Sequence, residues 1–151
     1  MNLCMSINNL NHSNIFFSEP IKNTIIENSK FRRIIYSNPY ISLNTIYIEF
    51  KLNNVEIIKY YNKFKCLFNN ERHYNFIQTI LYLEHSILNK IKLQNKRAIY
   101  NISQQLNNNY IKLFLPFEGD KKIENFKIVL KLSGIWESET EYGLTYKFLY
   151  L

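Results

Sequence analysis

The end of the chain carries its most constraining pattern. From Phe126 to Leu132 apolar and polar residues alternate, then Gly134, Ile135 and Trp136 follow. After the acidic turn containing Glu137, Glu139 and Glu141, a second alternating run extends from Gly143 to Leu151. Period-two alternation turns one face of each run toward a core and the other toward water, so the two runs read as a terminal β-hairpin. The only tryptophan and two of the three glycines lie in it. Gly134 is expected to permit a bend and Trp136 to plug the core, because a lone tryptophan beside a strand glycine is more often buried than offered as a platform.

A core of ordinary size is within reach of 151 residues, of which 46% are hydrophobic and 16% aromatic. That is too apolar for a disordered chain and favours strands. With three glycines and three prolines, turns must be made by Asn, Ser and Lys, and asparagine tolerates left-handed backbone best after glycine. The net charge of +7 favours an anionic partner. Part of this excess has another source, since Ile, Asn, Lys, Tyr and Phe share A/T-rich codons. Cys4 and Cys66 match no metal or redox spacing and read as free thiols in a reducing compartment. No signal peptide or membrane-length apolar run is present, so a soluble intracellular protein without a membrane partner is expected.

Along the chain, residues 1–13 are Asn-rich and aperiodic and read as a loose N-terminal arm, with a single β-rich domain from 14 to 151. Strands are expected at Asn14 to Phe17, Lys30 to Tyr36, Ile46 to Leu52 and, after a tight reversal at Asn53-Asn54, Val55 to Phe68. Asn69 or Asn70 should cap a helix from about Glu71 to Lys92, with Phe76, Ile80, Leu83, Ile87 and Ile91 as its buried stripe. His73 and Glu84 fall near that apolar side, and His85 on the solvated one. Two more strands, Ala98 to Leu106 and Tyr110 to Leu115, are expected around an Asn107-Asn108-Asn109 turn, with Pro116 ending the second and a polar turn at Glu118 to Lys121.

Residues suited to catalysis are sparse. Asp120 is the only aspartate, three glycines cannot cradle a phosphate, and His12, His73 and His85 lack partners at a recognisable spacing. A non-catalytic protein without metal or cofactor is expected. Basic residues interleave with aromatics on the strands instead. Lys30, Arg32, Arg33 and Tyr36, then Tyr47 and Lys51, then Lys59, Tyr61, Lys63 and Lys65 could line one groove, lysines on phosphates and rings on bases. Within the last strand, Lys59, Tyr61, Lys63 and Lys65 should share the face opposite Ile58, Tyr60, Phe64, Cys66 and Phe68. The competing reading is that the tyrosines fill sheet faces and the lysines solubilise the surface. The acidic tip at Glu137, Glu139 and Glu141 should repel phosphate.

Ser18-Glu19-Pro20 followed by Asn23, Phe31-Arg32-Arg33-Ile34-Ile35-Tyr36-Ser37, Lys131-Leu132-Ser133-Gly134-Ile135-Trp136-Glu137 and Gly143-Leu144-Thr145-Tyr146-Lys147-Phe148 carry a resemblance. They resemble a family of small basic proteins of large nucleocytoplasmic DNA viruses, similar to viral single-stranded DNA-binding replication proteins. The resemblance implies an oligonucleotide-binding barrel, a role in DNA replication, and host cytoplasm or viral factory as location. The expected fold is thus β-rich α+β, an oligonucleotide-binding-type barrel with one long helix, with a β-sandwich as the alternative. The chain departs from the family pattern in its extra strands and in ending on Phe148-Leu149-Tyr150-Leu151 rather than an acidic tail. The expected function is binding of single-stranded DNA without strong sequence specificity. The alternative is a small virion component that assembles through strand edges with its own copies or with other viral proteins.

Overall fold

The computed structural model describes residues 4–23, 26–113 and 119–150. In chain order these form β1 (Cys4–Ser6), 3-10 turns at Ile7–Asn9 and His12–Asn14, β2 (Ile15–Phe17), β3 (Ile21–Lys22), β4 (Lys30–Ser37) and β5 (Ser42–Asn44). There follow β6 (Ile46–Tyr60), β7 (Lys63–Leu67), α1 (Tyr74–Ile91), β8 (Arg97–Ile99), α2 (Asn101–Asn107), β9 (Tyr110–Leu113), β10 (Lys121–Glu137) and β11 (Glu141–Tyr150). The fold is β-rich α+β, with a mainly antiparallel sheet and two helices among the described residues.

The expected terminal hairpin is present as β10 and β11, paired from Ile128–Tyr150 to Glu137–Tyr142. Its first arm is the organising strand. Up to Leu132 the other edge of β10 pairs with β6; the register slips between Leu132 and Gly134, and from Gly134 to Glu137 that edge pairs with β4. One extra residue at the slip lets a single strand serve two partners. Alternation then sorts the faces. Ile46, Ile48, Phe50 and Leu52 of β6 sit opposite Leu132, Leu130, Ile128 and Phe126 of β10, and all are buried. Phe76, Ile80, Leu83 and Ile87 of α1 join the same core cluster, as do Ile102 and Leu106 of α2. Each such side chain contributes ~1.5–3 kcal/mol on burial.

The expected barrel is not closed. The path β2-β4-β10-β6-β7-β9 is open, and β9 comes alongside β11 without pairing to it. A helix bridges that seam. Gln105 of α2 accepts a hydrogen bond from the Lys112 backbone N–H of β9 at 3.1 Å and donates to the Tyr146 hydroxyl of β11. The strand expected over Ala98 to Leu106 is therefore only β8, followed by α2. Ile102 and Leu106, four residues apart, are the helical signal, and the buried Glu84 carboxylate fixes the helix start by accepting from the N–H groups of Ile102 (3.0 Å) and Ser103 (2.8 Å). The expected ends of the next strand at Leu115 and Pro116, and the start of the turn at Glu118, lie outside the described residues.

Asparagines shape the backbone, though not always as expected. Among the described residues, four of the seven non-glycine positions at positive φ, Asn28, Asn54, Asn95 and Asn109, are asparagines, in keeping with a glycine-poor chain. At Asn53-Asn54, however, the chain does not reverse. β6 runs through it, with Asn54 at φ 54°, and the buried set changes parity from Leu52 to Val55 and Ile57. The reversal comes later, at Tyr61-Asn62, so Val55 to Phe68 is two strands rather than one.

The N-terminal segment is not a loose arm over its described part. β1 pairs in parallel with β6 from Cys4–Tyr47 to Ser6–Glu49, and Leu10 is buried in the core. His12 bonds Ser86 through Nδ1 at 2.9 Å, and Lys90 donates to the His12 carbonyl at 2.7 Å, which docks the segment on α1. Its lack of periodicity reflects short 3-10 turns rather than missing structure.

Candidate functional site

The sheet has one face under the helices and one open face, and register decides what the open face carries. Lys131 sits between Tyr47 of β6 and Lys147 of β11, and its ammonium lies 5.9 Å from the Tyr47 ring centroid. Lys127 is opposite Lys51. Between these rows come Glu49, Val129 and Leu149. Lys127 reaches Glu49 at 3.7 Å, a long and exposed pair worth little in water. Lys51 and Lys131 have no carboxylate partner among the described residues. Four lysines and a tyrosine on three adjacent strands thus make a positive patch.

Only two of the ten expected site residues, Tyr47 and Lys51, belong to this patch. Tyr36 is buried, 4% exposed, and its hydroxyl accepts from the Asn11 N–H at 3.2 Å, so its ring is not available for stacking. Arg32 turns to Glu137, Nε to Oε2 at 3.0 Å. Lys30, opposite Glu137, and Arg33, opposite Gly134, are exposed on β4. The remaining four do not share a face. Because the chain turns at Tyr61-Asn62, Lys63 pairs with Tyr60 and Lys65 with Ile58, whereas Lys59 pairs with the buried Phe64 on the opposite side. Lys65 is held between the rings of Tyr60 (4.3 Å) and Tyr110 (4.4 Å), and Tyr61 stands 81% exposed at the tip. Tyr47 and Tyr60 are separated by roughly 40 Å of extended strand, so these groups form two patches rather than one groove.

Lys127, Lys131 and Lys147 lie outside the groove expected from the sequence, because they sit in the terminal hairpin rather than on the Lys30 to Lys65 strands. The signal was their spacing: 127 and 131 share parity with the outward positions of a strand whose even residues are apolar.

The sheet is hollowed where β6 changes parity. A depression of about 410 Å³ is lined by Lys51, Asn53, Asn125, Phe126, Lys127 and Tyr150. A second, of about 610 Å³, has Arg72 and Lys122 but also Glu56 and Glu124, so its charges cancel. His73 anchors the helix start to this bend. Its Nε2–H donates to the Asn53 carbonyl at 2.7 Å while Nδ1 accepts from the Asn69 N–H at 3.0 Å, an arrangement that fixes a neutral tautomer.

Trp136 is half-buried on the open face rather than a core plug, and the acidic tip is largely neutralised. Glu137 receives Arg32 and Lys96, the latter at 3.1 Å, and Glu141 receives Arg97. Burial pushes the Glu137 carboxyl up, but hydrogen bonds and charge from Arg32 and Lys96 outweigh it and leave it below its ordinary 4.5. Burial, with the charges of Glu84 and Tyr110, raises the Tyr146 hydroxyl to about 12. Cys66 is buried and raised to about 12, whereas Cys4 is exposed; both are free thiols. Among the described residues no group of three or more His, Cys, Asp or Glu could hold a metal, and no helix is long and apolar enough to cross a membrane.

Fold and surface therefore define a β-rich α+β protein with a lysine-bearing open sheet face. No family model, curated protein or solved structure matches the chain.

Proposed function

We propose that the protein binds single-stranded nucleic acid without catalysis, through the open face of β6, β10 and β11. The observation that supports this reading is the cross-strand row of Lys51 and Lys127, with Tyr47, Lys131 and Lys147 beside it. Lysines at strand spacing of ~4.8 Å can follow a phosphate backbone, and an edge-accessible tyrosine offers a face to any base. The resemblance to viral single-stranded DNA-binding replication proteins points the same way. An oligonucleotide-binding barrel is not part of the reading, since the sheet is open; the face itself is sufficient.

The test is binding of a labelled oligothymidylate at two salt concentrations. Affinity should fall steeply with salt, by a slope of about 0.7 per phosphate contacted. Absence of binding at low salt, or indifference to salt, would refute the proposal. Obligate self-assembly without oligonucleotide affinity would favour a protein that associates through its strand edges instead.

A further inference from the structure

One row of the open face carries rings in place of charge. Ile21 of β3, Phe31 of β4, Trp136 of β10, Gly143 of β11 and Ile99 of β8 are successive cross-strand partners, so the row crosses five strands. None of its apolar side chains belongs to the core cluster; Ile21 is exposed, and Phe31, Trp136 and Ile99 are half-buried. Two glycines set the rings. The Phe31 ring fills the space where Gly134 lacks a side chain, and the Trp136 indole fills the corresponding space at Gly143. The two rings lean toward different neighbours and do not pair with each other. The indole N–H donates to no described residue and is not a buried donor without a partner, so it is open to solvent.

An aliphatic side chain would shield the glycine backbone as well as a ring does. An aromatic ring adds a π-face and, at Trp136, a free donor. Part-exposed rings on an open sheet face stack bases of any sequence, because every base has a π-face. Cations stand on one side of the row. Arg33, opposite Gly134, is exposed on the same face as Phe31, and Lys131 precedes Trp136 by roughly 15 Å of strand. On the other side is the acidic turn, where Glu139 is exposed. A phosphate backbone is therefore drawn to the Arg33 and Lys131 side, which leaves its bases to the rings. We propose that Phe31 and Trp136 form a base-stacking platform for a single strand, with Arg33 and Lys131 on the adjoining phosphates. This inference rests on the single-strand binding proposed above and extends its base contacts beyond Tyr47.

Trp136 is the only tryptophan, so its emission reports on this one position. The experiment titrates the full chain with labelled oligothymidylate and with a labelled abasic deoxyribose-phosphate strand of equal length, at one fixed salt concentration, and follows both the label and the tryptophan emission. Oligothymidylate should quench the emission as it binds and the abasic strand should not. The wild-type protein should also bind oligothymidylate about fivefold or more tighter than the abasic strand, the effect of one stacked base. In Trp136→Leu, which keeps an apolar cover over Gly143, that ratio should fall toward one. If the variant does not fold, the emission of the wild-type protein decides alone. Binding of oligothymidylate without quenching, equal quenching by both strands, or an unchanged ratio in the folded variant overturns the platform and leaves the binding proposal standing. Failure of the wild-type protein to bind either strand overturns both.

Discussion

The indole of Trp136 lies against Gly143, its direct partner across the terminal hairpin: a Cβ placed on Gly143 would be 2.9 Å from Cζ2 and Nε1 of the tryptophan and 2.9 Å from the Ile99 carbonyl oxygen. The same device recurs at Gly134, where a Cβ would meet the Arg32 carbonyl oxygen at 2.2 Å and the Phe31 ring at 2.5 Å. Each glycine thus makes room for an aromatic ring on the open face, next to the place where β10 changes partner. Gly134→Ala should lower the urea unfolding midpoint by the equivalent of about 3 kcal/mol or more, since backbone must move, and Gly143→Ala by about 1–3 kcal/mol. Trp136→Ala should cost about 2 kcal/mol, less than a fully buried tryptophan. An alanine at 134 with a wild-type midpoint would contradict the close approach.

Glu84 is predicted to hold α2 in place. Its carboxylate is fully buried and accepts from two backbone N–H groups and from the Ser103 hydroxyl at 2.5 Å. Glu84→Ala leaves those donors unsatisfied and should destabilise the protein by about 3 kcal/mol, with Glu84→Gln losing less because one amide oxygen still accepts. The check is equilibrium denaturation; equal costs for both variants would argue against a capping role.

Acid stability should report on Glu137. Its carboxyl sits below the ordinary 4.5 in the folded protein, so the unfolded chain takes up the proton first as pH falls. The stability it contributes is complete above pH 4.5 and is lost as pH drops through the folded value, where protonation leaves Arg32 and Lys96 without their anion. Thermal midpoints of the wild type should therefore fall more steeply below pH 4.5 than those of Glu137→Gln. Parallel curves would remove Glu137 from the acid transition.

Charge reversal separates the two lysine patches. Lys51→Glu and Lys131→Glu should each weaken oligothymidylate binding strongly and reduce the salt slope by about 0.7. Lys59→Glu, on the opposite side from Lys63 and Lys65 and far along β6, should have little effect. Equal effects of all three would move the interface away from the β6–β10–β11 face.

Thiol labelling should distinguish the cysteines. Cys4 is exposed and Cys66 is buried with its thiol raised to about 12, so one equivalent of iodoacetamide should react in the native protein and a second only on unfolding. Two fast equivalents would mean that the β6–β7–β9 region opens readily.

The sequence by itself determined the elements that declare their own period. The terminal hairpin, the helix stripe from Phe76 to Ile87 and the strands at Lys30 and Ile46 were legible because burial repeats every two or every three to four residues. Asparagine as the turn residue followed from the shortage of glycine. What tertiary structure decided were the places where one residue's environment is supplied by another segment. The 101–107 segment is a helix because Glu84, distant in sequence, satisfies its first N–H groups. β6 runs past Asn53-Asn54 rather than reversing because β10 pairs with it on both sides of the bend and His73 takes the Asn53 carbonyl. The open-face lysines came together for the same reason. Lys51, Lys127, Lys131 and Lys147 lie on three strands, and only cross-strand register, a long-range pairing that no local pattern encodes, sets them side by side.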